Sequence, residues 1–97
     1  MLLANKIRTL REQNGMLQRK VAAALDVDAG LYSKIERGER PAKREQVIAI
    51  ASIFNADEKE LLILWQADQF SNVISTNNNI ATEAIELVYN QYKVNKQ

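Results

Sequence analysis

The sequence of 97 residues contains no cysteine and no histidine. These absences exclude disulfide frameworks, common zinc sites, thiol nucleophiles and acid–base chemistry through imidazole. Glycine occurs only three times and proline once, and no segment alternates β-branched with polar residues, so the composition favours an all-α fold. We therefore expect no metal site, no cofactor and no catalytic residues, and we do not interpret the chain as an enzyme.

Long hydrophobic runs are also missing. No apolar run is longer than that from Leu61 to Trp65, whereas a helix needs about 20 apolar residues to span a bilayer. The N-terminal segment lacks the charged, apolar and small-residue order of a signal peptide. We therefore expect a cytoplasmic protein that does not bind membranes.

The net charge of +1 hides an asymmetry along the chain. Residues 1–50 carry ten basic and six acidic residues, a balance of +4, and residues 51–97 carry three basic and six acidic residues, a balance of −3. Halves of opposite sign are typical of a chain in which one half faces a polyanion. The alternative is that the basic residues only form a solvated surface.

The centre of the sequence is the stretch from Gln18 to Arg37, which predicts two short helices joined by a tight turn. Asp26 suits the left-handed backbone of that turn, and Asp28 is placed to cap the second helix with its carboxylate. Apolar residues recur on one face of each helix with a period of 3.6: Val21, Ala22 and Leu25, then Leu31, Tyr32 and Ile35. This is the pattern of a helix-turn-helix, which places its second helix in the DNA major groove.

The predicted helices are helix 1 from about Leu2 to Asn14, helix 2 from Gln18, helix 3 ending at Arg37, helix 4 from about Lys43 to Phe54, helix 5 from Glu58, and a last helix 6 near the C-terminus. Helix 5 has more apolar surface than one face of a helix requires. Residues 61–65 predict a helical segment that is apolar on every side, and such a segment must be buried on both sides. We predict that a second copy covers it, with Leu62, Trp65 and Phe70 in the dimer interface. The alternative is that a further C-terminal helix, beyond a polar break at Ser75 to Asn79, folds back over them. The predicted domains are residues 1–74, a helix-turn-helix domain with helix 5 as dimerisation element, and residues 75–97, a C-terminal helix and tail.

Several positions carry a resemblance to a known family. They are Ile7-Arg8, Leu10-Arg11, Gly15, Gln18, Val21-Ala22, Leu25, Val27, the segment Ser33 to Gly38, and Pro41. With these residues the chain resembles the Xre-type (phage-repressor-like) helix-turn-helix family over roughly residues 5–64. The resemblance implies a five-helix repressor-like domain, here with an additional C-terminal helix, that binds double-stranded DNA as a homodimer on a pseudo-palindromic operator.

The resemblance also implies roles for individual residues. Gln18 matches the family's phosphate-contacting glutamine, and Arg11 with Glu36 matches a structural pair that ties helix 1 to the end of helix 3. The loop after helix 3 approaches the DNA backbone in the family. The expected phosphate contacts are therefore Gln18, Arg19, Arg40, Lys43 and Arg44.

The expected base-reading face of helix 3 is sparse. Ala29 and Gly30 stand where family members often place glutamine or arginine, the residues that suit adenine and guanine. Polar contacts are left to Ser33, Lys34 and Arg37, and Ala29 is placed to touch a thymine methyl group. We therefore expect specificity to depend on few base contacts together with DNA shape.

The leading functional hypothesis is a bacterial or phage transcriptional regulator, and a restriction–modification or methyltransferase locus is one context for it. One alternative is the antitoxin of a toxin–antitoxin pair. Another is an interaction module that binds an unknown protein partner through helices 5 and 6. The neighbouring gene, and whether a stable homodimer binds DNA, would separate these hypotheses.

Overall fold

The computed structural model describes residues 1–95, and within them the side chains of residues 1–76 and 79–93. Every regular element in that part of the chain is a helix, which confirms the all-α prediction. The helices are α1 (Leu2–Gln13), α2 (Gln18–Leu25), α3 (Ala29–Glu36), α4 (Arg44–Ile53) and α5 (Glu58–Asn95). Residues 96–97, the end of the predicted tail, lie outside the described residues.

Local sequence signals set the ends of the first helices. Gly15, just after α1, has φ +62°, and Asp26, just after α2, has φ 58° and ψ 44°. Both conformations lie in the left-handed region that ends a helix, and Asp26 adopts it where glycine is more common. Asp28 precedes α3 as expected. Its carboxylate, however, accepts no capping hydrogen bond from the described N–H groups at the start of the helix. The turn is therefore fixed mainly by the backbone.

Position 38 requires glycine for two reasons: its backbone has a positive φ, and the side chain of Met1 approaches it closely. The φ of Gly38 is +74°, and a Cβ atom added to it would lie 2.6 Å from the Cγ atom of Met1. A larger residue would therefore push the chain's first residue away from the end of α3. The start of α1 and the end of the second helix of the motif are consequently packed together.

All five helices contribute to one hydrophobic core. The largest fully buried side chains are Ile7, Val21, Tyr32, Val47, Ile50 and Leu61. They come from α1, α2, α3, α4 and the first turn of α5. The first part of α5 is thus part of the helix-turn-helix domain and not an appendage to it.

Polar contacts attach α5 to the rest of the domain. The two carboxylate oxygens of Asp68 accept hydrogen bonds from the backbone N–H groups of Leu2 and Leu3, at 2.9 and 3.0 Å. They satisfy N–H groups that the first turn of a helix leaves free. The indole nitrogen of Trp65 donates to the carbonyl of Ala42 at 2.7 Å. Residues 65–68 therefore fix both the start of α1 and the loop before α4.

The predicted break at Ser75 to Asn79 is wrong, because the backbone there is helical within α5. A straight helix of 38 residues would be about 57 Å long, but the longest dimension of the molecule is 44 Å. Phe70 and Val73 also line the same hollow as Tyr89 and Tyr92. The helix therefore bends, and the additional C-terminal helix is the second half of α5.

Two side-chain hydrogen bonds have their donors in the stretch between Val73 and Ala81, which separates the two sets of residues that line the hollow. The hydroxyl groups of Ser75 and Thr76 both donate to the carbonyl of Asn72, at 3.0 and 2.9 Å. Such bonds from serine and threonine to a carbonyl one turn earlier often bend a helix. We call residues 70–92 the arm; the predicted domain boundary after residue 74 falls inside it.

Candidate nucleic-acid interface

The solvent-facing side of α3 carries the predicted base-reading residues. Ala29 and Lys34 are exposed, and Ser33 is half-buried. Arg37 follows the last residue of α3 and is exposed. The second helix of the motif thus presents one long basic side chain from its body and another from its C-terminal end.

Arg37 is already held by the protein. Its Nη1 atom donates to the hydroxyl of Ser33 at 2.6 Å, and its Nε atom donates to the carboxylate of Glu39, with which it forms an ion pair. This hydrogen bond holds the pKa of Glu39 below its usual value and raises the pKa of Arg37. Both side chains are solvent-exposed, so the contact is weak. The guanidinium of Arg37 is therefore engaged by Glu39 and Ser33 in this structure.

The start of α2 is open to a phosphate group. Leu17 occupies the position before the helix, and within the described part of the chain no side chain caps its free N–H groups. Helix N-termini of this kind bind phosphate through these N–H groups. Gln18 is half-buried at this end, and Arg19 beside it is exposed. The side-chain amide of Gln18 donates to Glu36 at 3.2 Å, which fixes its position.

Arg11 and Glu36 form a partly buried ion pair between α1 and α3. The Nε atom of Arg11 lies 3.0 and 2.9 Å from the two carboxylate oxygens, and its Nη2 atom lies 2.7 Å from one of them. The Nη1 atom donates to the carbonyl of Met16 at 2.9 Å. The guanidinium is therefore engaged by groups of its own chain, and it joins α1 to the end of α3.

The environment of Glu36 determines its charge. Glu36 is only 5% exposed, and burial by itself would raise the pKa of its carboxyl group. The hydrogen bonds from Arg11 and Gln18 outweigh this effect, and the net result is a lowered pKa. The hydrogen bond to Glu36 also raises the pKa of Arg11. The pair therefore stays ionised around neutral pH.

Tyr32 lies beneath this pair and is fully buried, as its place in the apolar stripe predicts. Burial raises the pKa of its hydroxyl group. The hydroxyl is near enough to Glu36 to affect the pKa of that carboxyl, but among the described side chains it has no hydrogen bond of acceptable geometry. Tyr32 thus belongs to the core and not to the exposed face of α3.

Two further groups of polar residues surround α3. The predicted phosphate-contacting residues of the following loop, Arg40, Lys43 and Arg44, are all exposed. On the other side, a groove is lined by residues from α1, α2 and the end of α3: Asn5, Arg8, Arg11, Gln18, Ser33, Glu36, Arg37 and Glu39. The groove brings the predicted reader Arg37 and the predicted phosphate contact Gln18 together with Arg8 of α1.

The three predicted dimer-interface residues do not share one environment. Leu62 and Trp65 pack against the core of their own chain, and Trp65 is also held by its hydrogen bond to Ala42. Phe70 is 54% exposed and lines the hollow of the arm. Of these three residues, only Phe70 therefore belongs to the exposed apolar surface of α5.

Asp68, Glu39 and Arg8 are the residues that the sequence did not indicate. The contact of Asp68 with Leu2 spans 66 positions, and no local pattern signals such a distant cap. Glu39 could have been recognised, since it follows Arg37 by two residues in an exposed loop. Arg8 carries part of the family resemblance without an expected role, and only the packing of α1 against α3 places it in the groove.

The described residues contain no group of histidine, cysteine or carboxylate side chains arranged to hold a metal ion. None of the helices in this part of the chain is long and apolar enough to cross a membrane.

Comparison with known proteins gave one match. The family described as "Helix-turn-helix domain" matches residues 2–62. The matched range includes α1 to α4 and the first turn of α5. No curated protein and no solved structure matched the chain.

Proposed function

Because the chain belongs to the helix-turn-helix domain family, we propose that it is a sequence-specific, non-enzymatic transcriptional regulator of the Xre type. It binds double-stranded DNA as a homodimer on a pseudo-palindromic operator, in the cytoplasm. The observation that carries this proposal is the groove that joins Gln18 at the open start of α2 to Ser33 and Arg37 at the end of α3. This arrangement offers phosphate contacts beside base contacts, which a groove-binding helix needs.

The proposed contacts divide by their chemistry. Ser33, Lys34 and Arg37 offer hydrogen bonds to base edges, and Ala29 offers an apolar contact to a thymine methyl group. Gln18, Arg19, Arg40, Lys43 and Arg44 offer contacts to the phosphate backbone. Since few side chains read bases, DNA shape and the pairing of two half-sites supply the remaining specificity.

Selection of bound sequences from random duplex DNA tests this function. We expect an enriched palindrome whose half-sites are centred about one helical turn apart. Selection at two salt concentrations separates specific binding from general attraction to phosphates, because the latter falls steeply with salt. Failure to enrich any sequence at either concentration would contradict the proposal, and the gene beside this one separates a restriction–modification context from a toxin–antitoxin one.

A further inference from the structure

The arm carries most of the apolar surface that the fold leaves uncovered. Seven of the large hydrophobic residues that are more than half exposed lie in it: Phe70, Val73, Ile80, Leu87, Val88, Tyr89 and Tyr92. By contrast, residues 61, 62, 64 and 65 of the same helix pack in or against the core of their own chain. Ile63, which is 57% exposed, is an exception, so most of the uncovered surface of α5 lies where the helix leaves the domain.

The bend gives this surface a hollow shape. Phe70 and Val73 line one side of the hollow, and Ile85, Val88, Tyr89 and Tyr92 line the other. In the described part of the chain, only residues of the arm line this hollow. Large contiguous apolar surfaces that stay exposed mark protein interaction sites.

We propose that the hollow of the arm binds the same hollow of a second copy of this chain. The arm faces then form the two-fold interface of the homodimer. This inference rests on the proposed function, in which two copies read two half-sites, and it deepens that function by naming the surface that joins them.

The charges of the arm favour a second copy as the occupant. Between residues 69 and 92 the only charged residues are Glu83 and Glu86, and neither lines the hollow. In a two-fold interface each face meets itself, so a face that carries charge of one sign would be repelled. An uncharged face meets its own copy without that cost. An anionic membrane or DNA is disfavoured, because such a surface requires lysine or arginine.

The amount of apolar surface also fits a dimer. A standard protein interface buries about 800 Å² on each partner. A fully buried aromatic side chain contributes roughly 150–250 Å², and the three aromatic residues of the hollow, each more than half exposed, still have over half of their area to bury. Together with Val73 and Val88, the exposed aliphatic residues that line the hollow with them, they supply a large part of that requirement. Tyrosine is also enriched at interfaces, since its ring is covered while its hydroxyl reaches water.

Sedimentation of the full chain, with no DNA present, tests the proposal. We expect a species of twice the 11.0 kDa chain mass. Val88→Asp places a carboxylate in the hollow and should weaken the dimer by about tenfold or more, because a buried charge without a partner is costly. Asn90→Asp adds the same charge two residues away, outside the hollow lining, and should leave the dimer intact. A wild-type monomer at every concentration, or equal dimerisation of all three proteins, would overturn the proposal.

A second pair of variants does not depend on introducing a charge. The chain contains no cysteine, so Val88→Cys creates a single thiol. Mild oxidation should convert Val88→Cys, but not Asn90→Cys, into a covalent dimer, since only the first thiol lies close to its copy. Equal cross-linking of both would contradict the arm interface. DNA selection is read out separately, so a monomer that still enriches half-sites overturns only the arm interface and not DNA binding.

Discussion

Glu36 is the residue on which the first three helices converge. It is the last residue of α3, and its carboxylate accepts hydrogen bonds from Arg11 of α1 and Gln18 of α2. The arrangement fixes the side chain of Gln18, which is the proposed phosphate contact. In the proposed function, the ion pair therefore also positions a DNA contact.

Removal of Arg11 should be strongly destabilising. Arg11→Ala leaves the carboxylate of Glu36 buried without its main partner, a change that typically costs about 3–5 kcal/mol. Because the Arg11 side chain is 16% exposed, we expect the lower end of that range in the free energy of unfolding, measured with urea at one protein concentration. The control is Arg8→Ala, whose exposed pair with Glu12 should contribute roughly 0.5 kcal/mol or less. Equal losses in both variants would refute the importance of burial.

The same pair should make stability depend on pH. The pKa of Glu36 is lowered in the folded chain, so the folded state binds fewer protons than the unfolded state. The contribution of the pair is complete above the pKa of the unfolded carboxyl, about 4.3, and is lost as the pH falls through the lower folded value. We expect Glu36→Gln, which cannot titrate, to show a smaller loss of stability between neutral and acidic pH than wild type. If the free energy of unfolding fell by the same amount in both proteins between neutral and acidic pH, Glu36 would not be a source of the pH dependence.

Asp68 should contribute more than an ordinary helix cap. It uses both oxygens to accept from Leu2 and Leu3, but in Asp68→Asn one oxygen becomes an N–H donor that faces another donor. We expect a loss of about 1–3 kcal/mol in the free energy of unfolding. Asp57→Asn is the matched control: Asp57 caps the start of α5 through one oxygen, which asparagine replaces with little loss. Similar effects of both substitutions would contradict the two-oxygen role.

At the scale of the elements, the sequence predicted α1 to α4 well and the course of α5 poorly. Gly15, Gly38 and Pro41 are strong local stop signals, and the predicted ends of α1, α3 and α4 lie within about one residue of those found. The tract Ser75 to Asn79 contains weak helix formers, which favoured a break. The backbone there stays helical, and the hydroxyl groups of Ser75 and Thr76 donate to the carbonyl of Asn72. Composition alone does not distinguish these outcomes.

The candidate site was predictable to a similar degree. Spacing placed Lys34 and Arg37 on the exposed side of the motif, because helical periodicity assigns faces directly. The contact of Arg37 with Glu39 and the groove position of Arg8 depend on loop conformation and on helix packing. Periodicity carries no information about either.

The bend in α5 can be measured with a pair of spin labels, because the chain has no native cysteine. Exposed Ser71 and Gln91 would be about 30 Å apart along a straight helix. We expect a clearly shorter distance in Ser71→Cys/Gln91→Cys, diluted with unlabelled chains to suppress distances between copies. Replacing Ser75 and Thr76 by alanine removes the hydrogen bonds to Asn72 and should lengthen the distance towards that of a straight helix. A wild-type distance of about 30 Å would contradict the bend.

At the scale of the whole molecule, α5 connects the helices that line the groove to the arm. Trp65 fixes the loop that follows the basic end of α3, and Asp68 fixes the start of α1, within about one turn of each other on α5. The arm begins directly after them. The orientation of the arm is therefore coupled to the position of the groove, so a dimer formed through the arms would hold two groove-lining faces at a defined spacing.

The division between base and phosphate contacts predicts different effects of two exposed lysines. Lys34→Ala removes a base contact from α3 and should cost about 1–3 kcal/mol at the preferred operator, with a relaxed preference at one position. Lys43→Ala removes a phosphate contact, so it should weaken binding to all sequences alike and reduce the salt slope by about one. Binding across a randomised operator at several salt concentrations measures both effects. Lys59→Ala, an exposed lysine on α5, makes the same change in net charge and should leave affinity and slope close to those of wild type. If Lys34→Ala and Lys43→Ala lost affinity and specificity in the same proportion, α3 would not be the element that reads bases.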